Sequence, residues 1–423
     1  PGLHPRWACP EGWVRESNGG CGPALLLCVP GGGAAPGACA DIDLARGRAG
    51  AEALPFRRLP DGTPGGAWPE DDAPAGPPAE EWTPTTGASE CPTGWTNAGE
   101  GICDPALRRD CPTGSRALPG GECVAVDGCP TGPWPDAPPG ARYVRAGEDD
   151  ARADGSRERP FGTLARAVEA AGRGGVVALT DGTYPAGLAL TRSVTILGRC
   201  AARTTLTDDE PLGSVLDARG AGVELTVEGI TMRGAGQGLS VNGRARAVVQ
   251  RVVVEGAHNL GITCSDAATR ITLANVVLAN IAPGPSGASG GLSAQTGCSI
   301  EGSRVALDAA GAFPVSVNGG GALTLSDSVV DGGAGRGQQF GLAVQEAGAL
   351  TLERSVLRGI RGVGGRTYGT SGRPMRLTLR DVVIREGTLV GGLGGALVIT
   401  SGGTLEAERL LVSDQAATAS GAI

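Results

Sequence analysis

The sequence predicts an all-β protein, a parallel solenoid of about ten three-strand coils with one N-terminal capping helix, preceded by small disulfide-rich modules. Three observations carry that expectation. One apolar phrase returns eight times between Leu225 and Val412. The 423 residues include 74 Gly and only 3% aromatics, so the core must be aliphatic. Nine of the 12 cysteines precede residue 130, in a region too poor in apolar residues for a large core of its own.

The phrase reads apolar-x-apolar-x-x-small/apolar-x-apolar. It occurs as Leu225, Val227, Ile230, Met232; as Ala247, Val249, Val252, Val254; and as Ile271, Leu273, Val276, Leu278. A poorer copy is Ile300, Gly302, Val305, Leu307. Leu323, Leu325, Ser328, Val330 follows, then Leu350, Leu352, Ser355, Leu357. The last two copies are Leu377, Leu379, Val382, Ile384 and Leu405, Ala407, Leu410, Val412. First positions lie 22, 24, 29, 23, 27, 27 and 28 residues apart. A second phrase precedes most copies: Leu239/Val241, Leu260/Ile262, Leu292/Ala294, Val315/Val317, Leu342/Val344 and Leu397/Ile399. Alternation of period two means strands with one buried face. Three short strands per repeat make one coil, and only a stack of coils buries the apolar face. A sandwich or barrel would not need this constant repeat, and leucine-rich repeats would show an Asn ladder.

Ahead of the repeat, Tyr143-Val144 reads as a short strand and Asp154-Gly155-Ser156 as a turn. Leu164, Ala167, Val168 and Ala171 form a helical stripe, with Thr163 as N-cap and Gly172 past the end. That helix is expected to cap the core. Strands follow at Val176–Leu179 and Leu188–Leu197, on either side of Asp181-Gly182-Thr183-Tyr184.

Composition changes near residue 140. All six Trp and 23 of the 30 Pro precede it. The expected divisions are a cysteine module at 1–39, a Pro/Gly/acidic linker at 40–90, further cysteine modules at 91–140 and the solenoid at 141–423. Its end, Gly421-Ala422-Ile423, reads as the first strand of another coil cut short. Cys9–Cys21, Cys91–Cys103 and Cys111–Cys123 are each C-x11-C opening with Cys-Pro-x-Gly, which reads as disulfide staples. Zinc binding is the rival reading, but C-x2-C pairs are absent. Cys264 and Cys298 end equivalent strands, which suits a cystine between coils. By subtraction Cys129 pairs with Cys200 and Cys28 with Cys39, connectivities that spacing alone does not determine. Such a chain belongs in an oxidising compartment, extracellular or on the outer cell surface ahead of the periplasm. Its opening at Pro1 suggests a processed or trimmed N-terminus.

The 36 basic residues are all arginine, and the formal charge is −8. An acidic chain of this kind is a poor nucleic-acid binder. No apolar run is long enough to span a membrane. Without lysine there is no P-loop or Schiff base. Two histidines argue against a multi-histidine metal site. No cofactor is expected, and calcium is not indicated.

Asp154-Gly155-Ser156, Pro160-Phe161, Thr163-Leu164, Ala167-Val168 and Ala171-Gly172, with Gly182-Thr183-Tyr184 and Val194–Gly198, resemble the opening of right-handed parallel β-helix proteins of the pectin-lyase-like superfamily. Gly172 departs from the Ala common there. Gly348–Leu357 resembles one of the superfamily's coils. The cysteine modules look like those preceding such helices in secreted proteins of high-GC bacteria. The resemblance covers 143–423 and implies a right-handed parallel β-helix. It leaves activity open, since the fold hosts lyases, hydrolases, epimerases, adhesins and inert shafts. Its enzymes act on acidic polysaccharides. Hydrolases use paired Asp; lyases use a base, often Arg or Lys, and many hold calcium on Asp clusters. That chemistry sits on the outer face of one sheet. Here the face offers Ser240, Asn242, Thr263, Ser293, Gln295, Ser316, Asn318, Gln345 and Thr400, all neutral. Only Asp266 and Glu346, at turns, add charge. The Asn-Thr-Asp, Asp-Asp and Gly-His-Gly hydrolase motifs are not found in the helix, and Asp208-Asp209 falls in a turn before the coils. His258 reads as a solvated turn residue, with Asp266 the one carboxylate near it in sequence.

Two surfaces stand out. Eight arginines crowd 354–385, and Arg354, Arg358, Arg380 and Arg385 are the candidate site for a polyanion or glycan. The rival reading is a solvated edge offset by neighbouring carboxylates. Arg358 and Arg385 should occupy one place on adjacent coils, about 4.8 Å apart. An outward stripe of Val253, Val277, Val329, Val356, Val383 and Leu411 reflects either strand propensity or a docking surface, for the Trp-rich arm or for another chain. The Trp residues read as module cores, with stacking on sugars as the alternative. The Thr ladder at 226, 272, 324, 351 and 378 reads as solvent-facing.

The expected function is a secreted or cell-surface, non-catalytic scaffold, adhesin or matrix component contacting a glycan or a surface protein. One alternative is a polysaccharide lyase. Another is a fibre subunit, self-associating through the open solenoid end or the Val stripe.

Overall fold

The computed structural model describes residues 13–15, 21–23, 91–99, 102–108, 111, 115–121, 123–234, 236–282, 290–308, 313–332, 339–368, 373–389, 396–399, 402–413 and 416–417. The chain forms two compact units, 1–88 with 419–423, and 89–418. In the first, Trp13–Arg15 pairs antiparallel with Cys21–Pro23. The linker at 40–90, the pairs Cys9–Cys21 and Cys28–Cys39, and the strand expected at 421–423 lie outside the described residues.

The second unit is an all-β parallel solenoid with very little helix. One sheet stacks nine strands in chain order, all parallel: Leu188–Leu190, Ser214–Arg219, Gln237–Asn242, Leu260–Cys264, Gly290–Ala294, Phe313–Val317, Gln339–Gln345, Gly362–Tyr368 and Leu397–Ile399. The eight copies of the first phrase stack in register in a fifteen-stranded sheet, Leu225 on Ala247 through to Leu377 on Leu405. Their inward residues form one aliphatic core from Val144 to Ile384. The regular part of the solenoid has about seven turns, from Arg246–Glu255 to Gly403–Ser413, against the expected ten; one of them is split into Ala322–Ser326 and Val329–Asp331. The earlier coils are built from shorter, separate strands.

Each phrase bends at its fifth position. Gly229, Arg251, Asn275, Arg304, Asp327, Arg354, Asp381 and Arg409 all have φ between 45° and 66°. One left-handed residue turns the strand and lets both halves bury their apolar side chains. Ser328 and Ser355 follow this bend and are buried. Their hydroxyls donate to Ser326 and Glu353 carbonyls at 2.7 Å and accept the N–H groups of Val305 and Ser328. A serine therefore fills an apolar position because it satisfies backbone groups at the corner.

The second phrase holds with two differences. Leu239 stacks on Ile262 and Val241 on Cys264, so the inward pair of that coil is Ile262/Cys264 rather than Leu260/Ile262. A coil without a recognisable phrase turns Gly365 and Thr367 inward, in register with Leu342 and Val344. A Cβ at Gly365 would lie 2.7 Å from Leu397 Cδ2, so neighbouring leucines fill its place. Cys264 and Cys298 are bonded within this core.

The helix α1 (Leu164–Ala171) spans its stripe between the expected Thr163 and Gly172, with Leu164 and Ala167 fully buried in the main core. Thr163 accepts the Arg166 N–H, and Asp150 accepts the N–H groups of Gly162 and Thr163 at 2.6 and 3.2 Å. Burial alone would raise the Asp150 pKa, but its bonds from the Thr163 hydroxyl and these amides hold it below the usual aspartate value.

Candidate functional site

The expected modules at 91–140 are not separate from the solenoid; they belong to its compact unit. They form a strap over the Val stripe. The hairpin Trp95–Gly99/Ile102–Pro105 is closed by Cys91–Cys103. Trp95 and Cys103 pack on Val356 and Val383, with Leu411 alongside. The hairpin Ser115–Ala117/Cys123–Ala125 is closed by Cys111–Cys123. Val126 beyond it packs against Ala201, Val277 and Ala306, with Val253 at the margin. Cys129 is bonded to Cys200, and Asp127 accepts the Ala201 N–H at 2.8 Å. Trp134 stands edge-on to Tyr143 with ring centroids 4.9 Å apart. The strap thus runs from the last coils back to the first.

The stripe is therefore occupied within the chain. Val356 and Val383 are 0% exposed, Val329 3% and Val277 5%. These four offer no apolar area to another chain, while Val253 and Leu411 are half-buried at the margins. Trp95 is core as expected, but of the strap–solenoid seam rather than of its module alone.

The four candidate arginines are brought together by the stacking, with Arg358 and Arg385 in register. They do not form an open cationic site, because each binds a carboxylate. Arg354 makes a two-pronged contact to Asp327 at 2.7 and 2.8 Å. Arg358 binds Asp331 at 2.6 Å, Arg380 binds Glu353 at 3.1 Å and Arg385 binds Asp104 of the strap at 3.2 Å. Arg409 repeats the fork on Asp381. Hydrogen bonding to Asp327 and Asp381 pushes the Arg354 and Arg409 pKa values further up. The neutralising acids were legible in the repeat: Asp327, Arg354, Asp381 and Arg409 share one offset from their phrase starts.

The outer face of the nine-stranded sheet carries one row in register: Asp217, Ser240, Thr263, Ser293, Ser316, Ala343, Arg366 and Val398. Sequence reading found the hydroxyls of this row but missed Asp217, Ala343, Arg366 and Val398. The strands of Asp217 and Arg366 lack the phrase; Ala343 and Val398 lie within it but are apolar. Gln295 donates to Ser293, the Ser316 and Ser293 hydroxyls are 3.0 Å apart, and Asn242 donates to Asp217 at 3.2 Å. Asp217 also pairs with Arg219. Arg366 lies over the Phe340 ring. The expected turn acids both sit at left-handed positions, with φ 74° and 41°; Asp266 accepts the Gly243 N–H at 2.8 Å, and Glu346 lies 3.8 Å from Arg373. His258 is exposed in a turn and bridges to Ala282. Thr400 lies outside the described residues.

Among the described residues no three His, Cys, Asp or Glu side chains group as a metal site, and no helix is long and apolar enough to cross a membrane. Arg244, Arg246 and Arg270 are exposed and make no ion pair among the described residues; Arg246 and Arg270 are register neighbours, and Arg270 donates to Ser299 at 2.9 Å.

No protein-family model matches the sequence, and no curated protein matches it. Among solved structures the chain is similar to the pectate lyase Pel9A, at 16% identity and a TM-score of 0.47, over 66% of this chain and 78% of that one. It is similar to an endo-xylogalacturonan hydrolase from Aspergillus tubingensis at 11% identity and a TM-score of 0.29, over 67% and 96% of the two chains. It is also similar to the catalytic domain of a GH87 alpha-1,3-glucanase in complex with nigerose, at 11% identity and a TM-score of 0.29, over 68% and 67%.

Proposed function

We propose that the chain is an extracellular, non-catalytic solenoid scaffold that contacts glycans. The observation that carries this reading is charge placement. The four candidate arginines each bind a carboxylate, and the outer row of the nine-stranded sheet carries four hydroxyls and two charged side chains, Asp217 and Arg366. The four described disulfides support an oxidising compartment. In this reading the coils wind right-handed, α1 closes the first of them, and the strap braces the stack. The contact for an acidic glycan is the unpaired corner of Arg244, Arg246 and Arg270, where guanidinium forks are available to carboxylate or sulfate groups.

The test is incubation with acidic and neutral polysaccharides, with and without calcium, followed by retention and product mass spectrometry. Salt-sensitive retention on acidic polymers without cleavage, lost in an Arg246→Gln/Arg270→Gln variant, is the expected outcome. Unsaturated or shortened products would sink the scaffold reading. They would favour a lyase and direct mutagenesis to Arg366 and Asp217.

A further inference from the structure

The strap does not seal against the first coils. Between residues 127–136 and the coil corners at Gly198 and Gly229 lies a cleft of about 300 Å³. Its floor is bare backbone. A Cβ at Gly198 would lie 2.3 Å from the Gly229 carbonyl oxygen, and one at Gly229 would lie 2.8 Å from that of Gly198. Pro130, Pro135 and Leu197 supply small apolar patches to the lining.

The polar groups around this floor are fixed. One Asp127 carboxylate oxygen accepts the Ala201 N–H; among the described residues no group binds the other. Burial pushes the Asp127 pKa up, against the Ala201 N–H and the Arg251 charge, which pull it down. Arg199 donates through one terminal nitrogen to Asp181 at 2.7 Å and through the other to the Pro130 carbonyl at 2.8 Å. Each of those nitrogens keeps a second N–H. Glu228 and Arg251 pair at the rim, and Asp136 adds a further carboxylate. The Cys129–Cys200 bond joins the two walls, so the site is held in shape before any ligand arrives.

Such a cleft offers acceptors and donors side by side. Three lining carboxylates against two guanidinium groups disfavour an anion. The lining has no aromatic face for a planar ring and no metal-ligating trio. The ligand class that fits is uncharged, compact and rich in paired hydroxyls. Each hydroxyl hydrogen can go to a carboxylate oxygen and each hydroxyl oxygen can take a guanidinium N–H. We propose that this cleft binds a neutral saccharide of one or two rings, with the open Asp127 oxygen as its central acceptor. The inference does not rest on the scaffold reading, since a lyase could carry the same cleft.

The test is calorimetric titration and saturation-transfer NMR on the full chain. The probes are glucose, galactose, mannose, N-acetylglucosamine, cellobiose and maltose. At least one should bind saturably in the millimolar range. An Asp127→Asn variant keeps an acceptor for Ala201 and should bind about tenfold more weakly. Asp136→Ala, at the exposed rim, should weaken binding less and serves if the first variant is unstable. The Arg246→Gln/Arg270→Gln variant should bind the sugar as the parent does. Absence of saturable binding by every probe overturns the proposal. So does binding unchanged in both aspartate variants, or binding lost in the arginine variant. Polymer retention at the arginine corner is read separately, so either result leaves the scaffold test standing.

Discussion

At the scale of single residues, the fifth position of the phrase does the most. It is left-handed in all eight copies, yet glycine occupies it only once. A left-handed non-glycine residue costs about 1–2 kcal/mol, so the other seven side chains need compensation. Asp and Asn tolerate this region better than most. Arg251, Arg354 and Arg409 gain from reaching a carboxylate one coil away. Asp381→Asn keeps the tolerance and removes the charge under Arg409. It should cost about 1 kcal/mol in urea denaturation, and the difference should shrink in high salt. Gly261 shows the opposite constraint: an added Cβ would meet Leu278 Cδ2 at 2.5 Å and the Gly291 carbonyl oxygen at 2.7 Å. Gly261→Ala should therefore lose about 1–3 kcal/mol from overpacking, visible as a lowered Tm. Asp150 anchors the start of α1 with a depressed pKa. Its contribution is present above the ordinary aspartate range and is lost as pH falls through the folded-state value. Asp150→Ala should thus lower Tm near neutral pH, and the gap to the parent should close in acid. Residue type at a repeat offset was readable in advance. The left-handed backbone at that offset was not, because arginine there breaks the usual preference.

At the scale of elements, the phrase positions were legible because alternation of period two survives stacking unchanged. The coil at Gly362–Tyr368 was not, because glycine and threonine face its core and leucines of adjacent coils fill the space. The stripe was visible as outward valines, but its occupant was not. Nothing local to Trp95 says that Val356 and Val383 are its neighbours. Trp95→Ala should loosen the first hairpin while leaving the solenoid folded. Limited proteolysis should then cut within 91–126 before any coil, with a rise in binding of a hydrophobic dye. Removing the Cys129–Cys200 tether by paired serines opens a connection of 71 residues. In the chain-entropy account that should cost about 4 kcal/mol. Calorimetry with and without the substitutions measures it. A loss under a tenth of this would mean that strap packing, not the bond, holds the two together.

At the scale of the whole unit, a solenoid is a one-dimensional stack in which each coil supports only its neighbours. The strap changes that. It touches the coils at Ala178, Ala201, Val277, Val356 and Val383, so distant repeats share one partner. The parent should therefore melt over residues 89–418 in one calorimetric transition. Trp95→Ala should broaden it or split it, because the last coils are freed to open alone. The strap also sets a schedule. Asp104 and Arg385, which meet across the seam, lie 281 residues apart in the chain. The first hairpin emerges from synthesis long before its seat exists. It must wait with its tryptophan uncovered while coil after coil is laid down, and the clasp shuts only when the far end of the stack has been made.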